Sequence, residues 1–232
     1  MFTRVTAKKM SGVFIDNDLG AATQVRRTVS HCFTALHQLC HLRRYVTDDY
    51  FCSLIVSLVH SRLDYGNFVL VGLLAYLQRQ LQSILNAAAR LVFRLRRYDH
   101  VTDALAILHW LRLPQRVDFK VAILAFRVLH SLAPPYLNQL VRVSDLLPGR
   151  HRLRSSSSQQ LLVPPFRLTT VGRRSFPVSA SLLELTANWH SVISIPTCFR
   201  QRLKTFLFQQ SFPDFVLWLY YASMDFVIVL LF

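Results

Sequence analysis

Two kinds of side-chain grouping in this sequence have spacings that could support chemistry, and a third could support binding. Asp48 and Asp49, within Val46-Thr47-Asp48-Asp49-Tyr50, are an adjacent carboxylate pair. Polymerases and nucleases that work through two Mg²⁺ ions need two or three carboxylates converging on the metals. A polymerase pair of that kind belongs on a tight turn between strands, whereas this one follows one helical segment and precedes another. Thr47 is a good N-cap type, and acids in the first turn complement the helix dipole, so the pair is read as a helix start.

His37 and His41 lie one helical turn apart with Cys32 and Cys40 nearby, which makes a partial set of metal ligands. No second cluster supplies the remaining ligands at a recognisable spacing, and no metal or other cofactor is expected. Asp16 and Asp18 flank the end of a strand-like segment, where Asn17 and Gly20 make an ordinary turn the better account. The six dispersed glycines form no phosphate-cradling loop, and Ser/His/Asp catalysis has no local signature. No catalytic residues and no small-molecule substrate are predicted.

The binding group is arginine. From Leu74 to Leu95 the residues read as one helix, with Leu81, Ile84, Leu85, Ala88, Leu91, Val92 and Leu95 on one side at about 100° per step. Arg79, Ser83, Asn86, Arg90, Arg94 and Arg97 fall on the other. A row of guanidinium groups about one turn apart suits a phosphate backbone, and the row lacks the interleaved acids that solvated helix faces usually carry. Arg43-Arg44 and Arg173-Arg174 are further candidate contacts, with Arg150/Arg152/Arg154 and Arg200/Arg202/Lys204 as weaker clusters. Tyr45, Tyr98, Phe166 and Phe176 lie near these groups and could stack on bases, although core packing is the commoner role for an aromatic side chain.

Composition agrees with a polyanion partner. Among 232 residues, 27 are Lys or Arg and 12 are Asp or Glu, giving a net charge of +15. Only four of the basic residues are Lys, and Glu184 is the single Glu. Arg offers a planar fork of donors for phosphates and bases, and codon usage in a GC-rich gene would produce the same bias. The four cysteines lack CxxC spacing and disulfide-scaffold density, so free thiols in a reducing compartment are expected. With Lys8 and Lys9 interrupting the first positions, no signal peptide is read, and a cytoplasmic or nuclear location is expected.

The elements that must position these groups are mainly helical. Residues 11–16 read as one short strand without an evident partner, the end of a segment comprising residues 1–19. A helical block spans 20–144. Its first helix covers 21–46, with Val25, Val29, Phe33, Leu36 and Leu39 at helical spacing. The second runs from Thr47 to about Leu63, the third is the arginine helix, and shorter ones span Val101–Leu108 and Pro114–Leu132. Residues 145–160 are a basic, Ser-rich linker. A small basic α+β segment over 161–214 has β-like runs at 161–163 and 166–171, a small helix near 178–185 and a basic helix near 199–209. Residues 215–232 are apolar except for Ser223 and Asp225, which makes a membrane anchor conceivable. Asp225 near the middle would cost about 2.5 to 3.5 kcal/mol, and an out-of-frame extension is the alternative account.

Several runs then acquire a common meaning. Val59-His60-Ser61-Arg62-Leu63-Asp64-Tyr65-Gly66-Asn67 and Leu81-Gln82-Ser83-Ile84-Leu85-Asn86-Ala87-Ala88-Ala89-Arg90-Leu91 resemble the region after the palm in non-LTR (LINE-type) retrotransposon reverse transcriptases. The likeness continues in order through Tyr98–Thr102, Leu108–Leu111, Arg116–Lys120, Leu129–Leu137, Val171–Phe176 and Phe199–Leu207, covering roughly residues 10–214. It implies a helical thumb-like bundle followed by a small irregular α+β basic tail. It also implies that residues 12–16 are the family's last palm-proximal strand and that the catalytic carboxylates lie upstream of residue 1. The chain departs from the family at Glu184-Leu185-Thr186-Ala187-Asn188-Trp189 and has no recognised counterpart after Asp214. The expected activity is non-specific binding of RNA or an RNA–DNA hybrid without polymerisation by the chain alone.

Overall fold

A computed structural model describes residues 8–17, 20–137, 140, 161–167, 172, 174–180 and 196–213. The linker at 145–160, Arg173 and the apolar run at 215–232 lie outside the described residues. The described fold is mainly helical with one two-stranded sheet.

The sheet changes the reading of the opening segment. Residues 11–16 are not one lone strand: β1 (Lys8–Met10) and β2 (Val13–Ile15) form an antiparallel hairpin, with Lys9 opposite Phe14. Ser11 and Gly12 are the turn, with φ of 47° and 82°. Two consecutive positive φ values match the twist of a tight hairpin, which Gly supplies without steric cost. The Tyr65 hydroxyl donates to the Ser11 carbonyl at 2.6 Å, and a Cβ on Gly12 would stand 2.7 Å from that hydroxyl oxygen. The hairpin is thus docked on the helical block through the Tyr65-Gly66 turn.

Helix α1 (Ala22–Leu42) buries Val25, Cys32, Ala35, Leu36 and Leu39. Phe33, expected on the apolar face, is 40% exposed. The inward row steps from Val25 through the partly buried Val29 to Cys32, Leu36 and Leu39, so the small thiol side chain faces inward and the ring falls to the flank. Helix α2 (Asp48–Ile55) continues through a π turn (Val56–His60) into α3 (Ser61–Asp64). The extra residue in that turn rotates the chain, and Val59 and His60 are both buried. Helix α4 (Ala75–Phe93) buries Leu81, Ile84, Leu85, Ala88 and Val92 as the periodicity requires, with Leu91 and Leu95 partly buried against the same core. Helices α5 (Thr102–Ile107) and α6 (Leu113–Leu129) follow, α6 opening with Pro114 in its first turn. Helix α7 (Pro196–Ser211) packs on α6, where Phe126 and Phe199 stack at 4.2 Å. Residues 176–180 are also helical, with Val178 and Ala180 buried. The runs at 161–167 form no extended strand, Leu161 alone making a bridge.

Three helices end in the same way. Arg94, His109 and Ser131 adopt φ of 53°, 52° and 57°, and the next residue donates back five positions: Leu95 to Arg90, Trp110 to Leu105, Leu132 to Arg127. This is the Schellman closure, normally made with glycine. A non-glycine residue there carries a cost of about 1–2 kcal/mol. Of the three positions, only Arg94 bears a permanent charge.

Candidate nucleic-acid interface

The arginine row predicted for α4 does not continue to Arg97. The helix stops at Phe93, Arg94 turns left-handed, and residues 96–99 form a separate turn in which the Arg96 amide donates to the Asp99 carboxylate at 2.6 Å. Helical phase therefore relates Arg79 and Arg90 but not Arg94 and Arg97. Arg79 lies near the start of α4, roughly 22 Å along the axis from Arg94 at 1.5 Å per residue.

A different contact gathers part of the set. Arg43, expected to meet nucleic acid, is only 7% exposed. Its Nη2 donates to the Val92 carbonyl at 2.8 Å and to the Asp48 carboxylate at 2.6 Å, while Nε donates to the Leu91 carbonyl at 3.3 Å. Its guanidinium also sits 4.7 Å from the Phe51 ring centroid. The carbonyls at the end of α4 have no partner within their own helix, so a buried cation with several donors satisfies them and meets the negative end of the dipole. Arg43 is a clamp beneath the surface rather than an exposed cation.

This clamp brings the turn after α1 against the end of α4. Arg44, immediately after Arg43, is exposed, as are Arg94, Arg96 and Arg97 on the other side of the join. The two stretches that meet at this join, the turn after α1 with the start of α2 and the residues after α4, carry the exposed Arg44, Arg94, Arg96 and Arg97 and the carboxylates Asp48, Asp49 and Asp99. Asp48 is paired with Arg43, and Asp99 accepts a backbone amide. Arg90, one turn below Arg94, is half-buried, with its Nε enclosed and unpartnered.

The remaining predicted residues lie elsewhere. Arg174 donates to the Val69 carbonyl at 3.0 Å, and its stem would meet a Cβ on Gly72 at 3.2 Å. It therefore braces the connection leading into α4, toward the Arg79 end. The reading of Asp48-Asp49 as a helix start agrees with α2, although Thr47 occupies the cap position without a side-chain bond and Arg43 holds Asp48 instead. His37 and His41 pack edge to face at 5.1 Å, and no group of three potential metal ligands is found among the described residues. Burial pushes the Cys32 thiol up to about 11. Among the described residues, no helix is long and apolar enough to cross a membrane.

Sequence reasoning missed Arg96, which is out of phase with the predicted stripe. It also missed the joint made by Asp64, whose carboxylate oxygens accept from Arg116 Nε at 2.5 Å and Nη2 at 2.9 Å, with Lys120 at 3.6 Å. The appearance of Asp64 and Arg116 in two separate runs at the ends of apolar segments was the available signal. Gln82 was likewise overlooked: its side-chain carbonyl accepts the Leu113 amide at 2.8 Å and so caps α6 from α4.

Replacing Arg43 with methionine keeps the stem volume but leaves two carbonyls without donors. We expect urea unfolding to report a loss of about 2 kcal/mol, with Arg43→Lys recovering only part because an ammonium cannot serve three acceptors in a fork. Unchanged stability would remove the clamp from the account.

No family profile, curated protein or solved structure matches this chain.

Proposed function

We infer that the chain is a post-palm, thumb-like portion of a non-LTR retrotransposon reverse transcriptase. In this reading it binds RNA or an RNA–DNA hybrid through arginines, without sequence preference, and does not polymerise alone. The observation that carries the binding half is the exposure of Arg44, Arg94, Arg96 and Arg97 on either side of the join that the buried Arg43 makes with the end of α4. A net charge of +15 adds long-range attraction for a polyanion. The family half rests on the ordered motifs of the sequence alone.

Arg94 provides a selective test. Glycine relieves the left-handed backbone there, so Arg94→Gly should fold at least as well as the parent while binding more weakly. The double variant Arg94→Glu/Arg97→Glu should bind an RNA–DNA hybrid oligonucleotide at least about tenfold more weakly. Its slope of log affinity against log salt should be shallower by about 1.4 to 1.8, since each phosphate that is no longer neutralised takes away roughly 0.7 to 0.9. Fluorescence anisotropy over a KCl series measures both quantities. Equal affinity and equal slope for parent and double variant would overturn the binding site.

A further inference from the structure

The most exposed large apolar side chains among the described residues are Tyr98 at 91% and Tyr45 at 85%. Tyr45 stands in the turn after α1 and Tyr98 in the turn that follows α4, whose end Arg43 bonds, each directly following an exposed arginine, Arg44 or Arg97. The turns are pinned: the Tyr45 amide donates to the Leu42 carbonyl at 3.0 Å, and Tyr98 lies inside the reciprocal Arg96–Asp99 bonds of 2.6 and 3.2 Å. A ring presented on a fixed turn has only two side-chain torsions to lose on binding. It also offers a face that is otherwise wasted against water.

Resting on the binding reading above, we propose that this corner takes unpaired nucleotides, with Tyr45 and Tyr98 stacking on bases while Arg44, Arg94, Arg96 and Arg97 follow the phosphates. The arrangement favours single strands over duplex because paired bases already have both faces covered by their neighbours and offer a ring only edges and backbone. Stacking on aromatic side chains tolerates every base, so the site has no sequence code.

The experiment compares a mixed-sequence single-stranded RNA oligonucleotide with the same sequence in a blunt duplex, using the full chain and anisotropy at one salt concentration. Tyr45→Ala and Tyr98→Ala should each weaken single-strand binding by about tenfold, the size of one base stack. Duplex binding should change less than about twofold, because the phosphate contacts remain. Tyr45→Phe and Tyr98→Phe should bind like the parent, since the face is kept. Equal losses on both ligands, or no loss on either, overturn the stacking proposal while leaving the arginine corner intact. A parent chain that binds neither ligand, or an Arg94→Glu/Arg97→Glu variant that binds both as well as the parent, overturns the corner itself. Both tyrosines are on the surface, so the alanine variants should retain the parent's unfolding midpoint.

Discussion

Replacing Asp64 with alanine should lower the free energy of unfolding by about 3 kcal/mol, at the lower end of what breaking a buried ion pair costs. The carboxylate and the Arg116 guanidinium retain 21% and 15% of their exposure, and Lys120 completes the cluster. Removing the acid leaves two cations facing each other in a partly dry site. The loss should therefore exceed that of Arg116→Met, which leaves Asp64 with Lys120 still in reach. An Asp64→Leu/Arg116→Met double variant should regain much of the difference by closing the gap with apolar atoms. Urea unfolding of the parent, Asp64→Leu, Arg116→Met and the double variant measures the cycle, and additive losses would show that the pair is not coupled. Burial alone would raise the Asp64 carboxyl, but the Arg116 hydrogen bond and the neighbouring charges outweigh it and hold it below 3.8. Its contribution is thus complete above that value and is lost as pH falls through the lower folded one.

His60 should make the fold acid-sensitive well before Asp64 does. Its ring is 4% exposed, stands edge-on to Trp110 at 4.2 Å and has an enclosed Nε2 with no partner. Burial first, and the Arg116 charge second, lower it from 6.5 to about 3. The unfolded chain binds this proton at 6.5 while the folded chain refuses it, so stability declines from near pH 6.5 downward. At 1.4 kcal/mol per unit the loss approaches about 2 kcal/mol by pH 5 and about 4 kcal/mol by pH 3.5. His60→Leu removes the titration. Whatever it costs in packing against Trp110 applies equally at every pH, so the variant's stability should be flatter than the parent's between pH 7 and 5. Parallel pH profiles for the two proteins would contradict the assignment.

This feature was not legible in the sequence, because His60 is buried by packing on Trp110, a contact that no local spacing reveals. Regular spacing, in contrast, was readable. The inward face of α4, the first-turn role of Asp48-Asp49 and the proline start of α6 all follow from local period and capping chemistry. The hairpin was not readable: Ser11 and Gly12 were placed within the strand rather than in a turn, and no partner was assigned to Lys8–Met10, although charged residues are usual on an exposed edge strand.

The arginines mark the division most clearly. Their number, their excess over acids and their concentration around residues 43–44 and 90–97 are properties of the sequence, and they set the sign of the surface field wherever the chain folds. Which of them reach solvent was decided by tertiary structure. Arg43 and Arg44 are adjacent and chemically identical, yet one is drawn under the surface by the unpaired carbonyls at the end of α4 and the other is left outside. Those carbonyls exist because the helix stops at Phe93, and they meet Arg43 only because α1 packs along α4. An interaction spanning 48 or 49 residues leaves no trace in any local period.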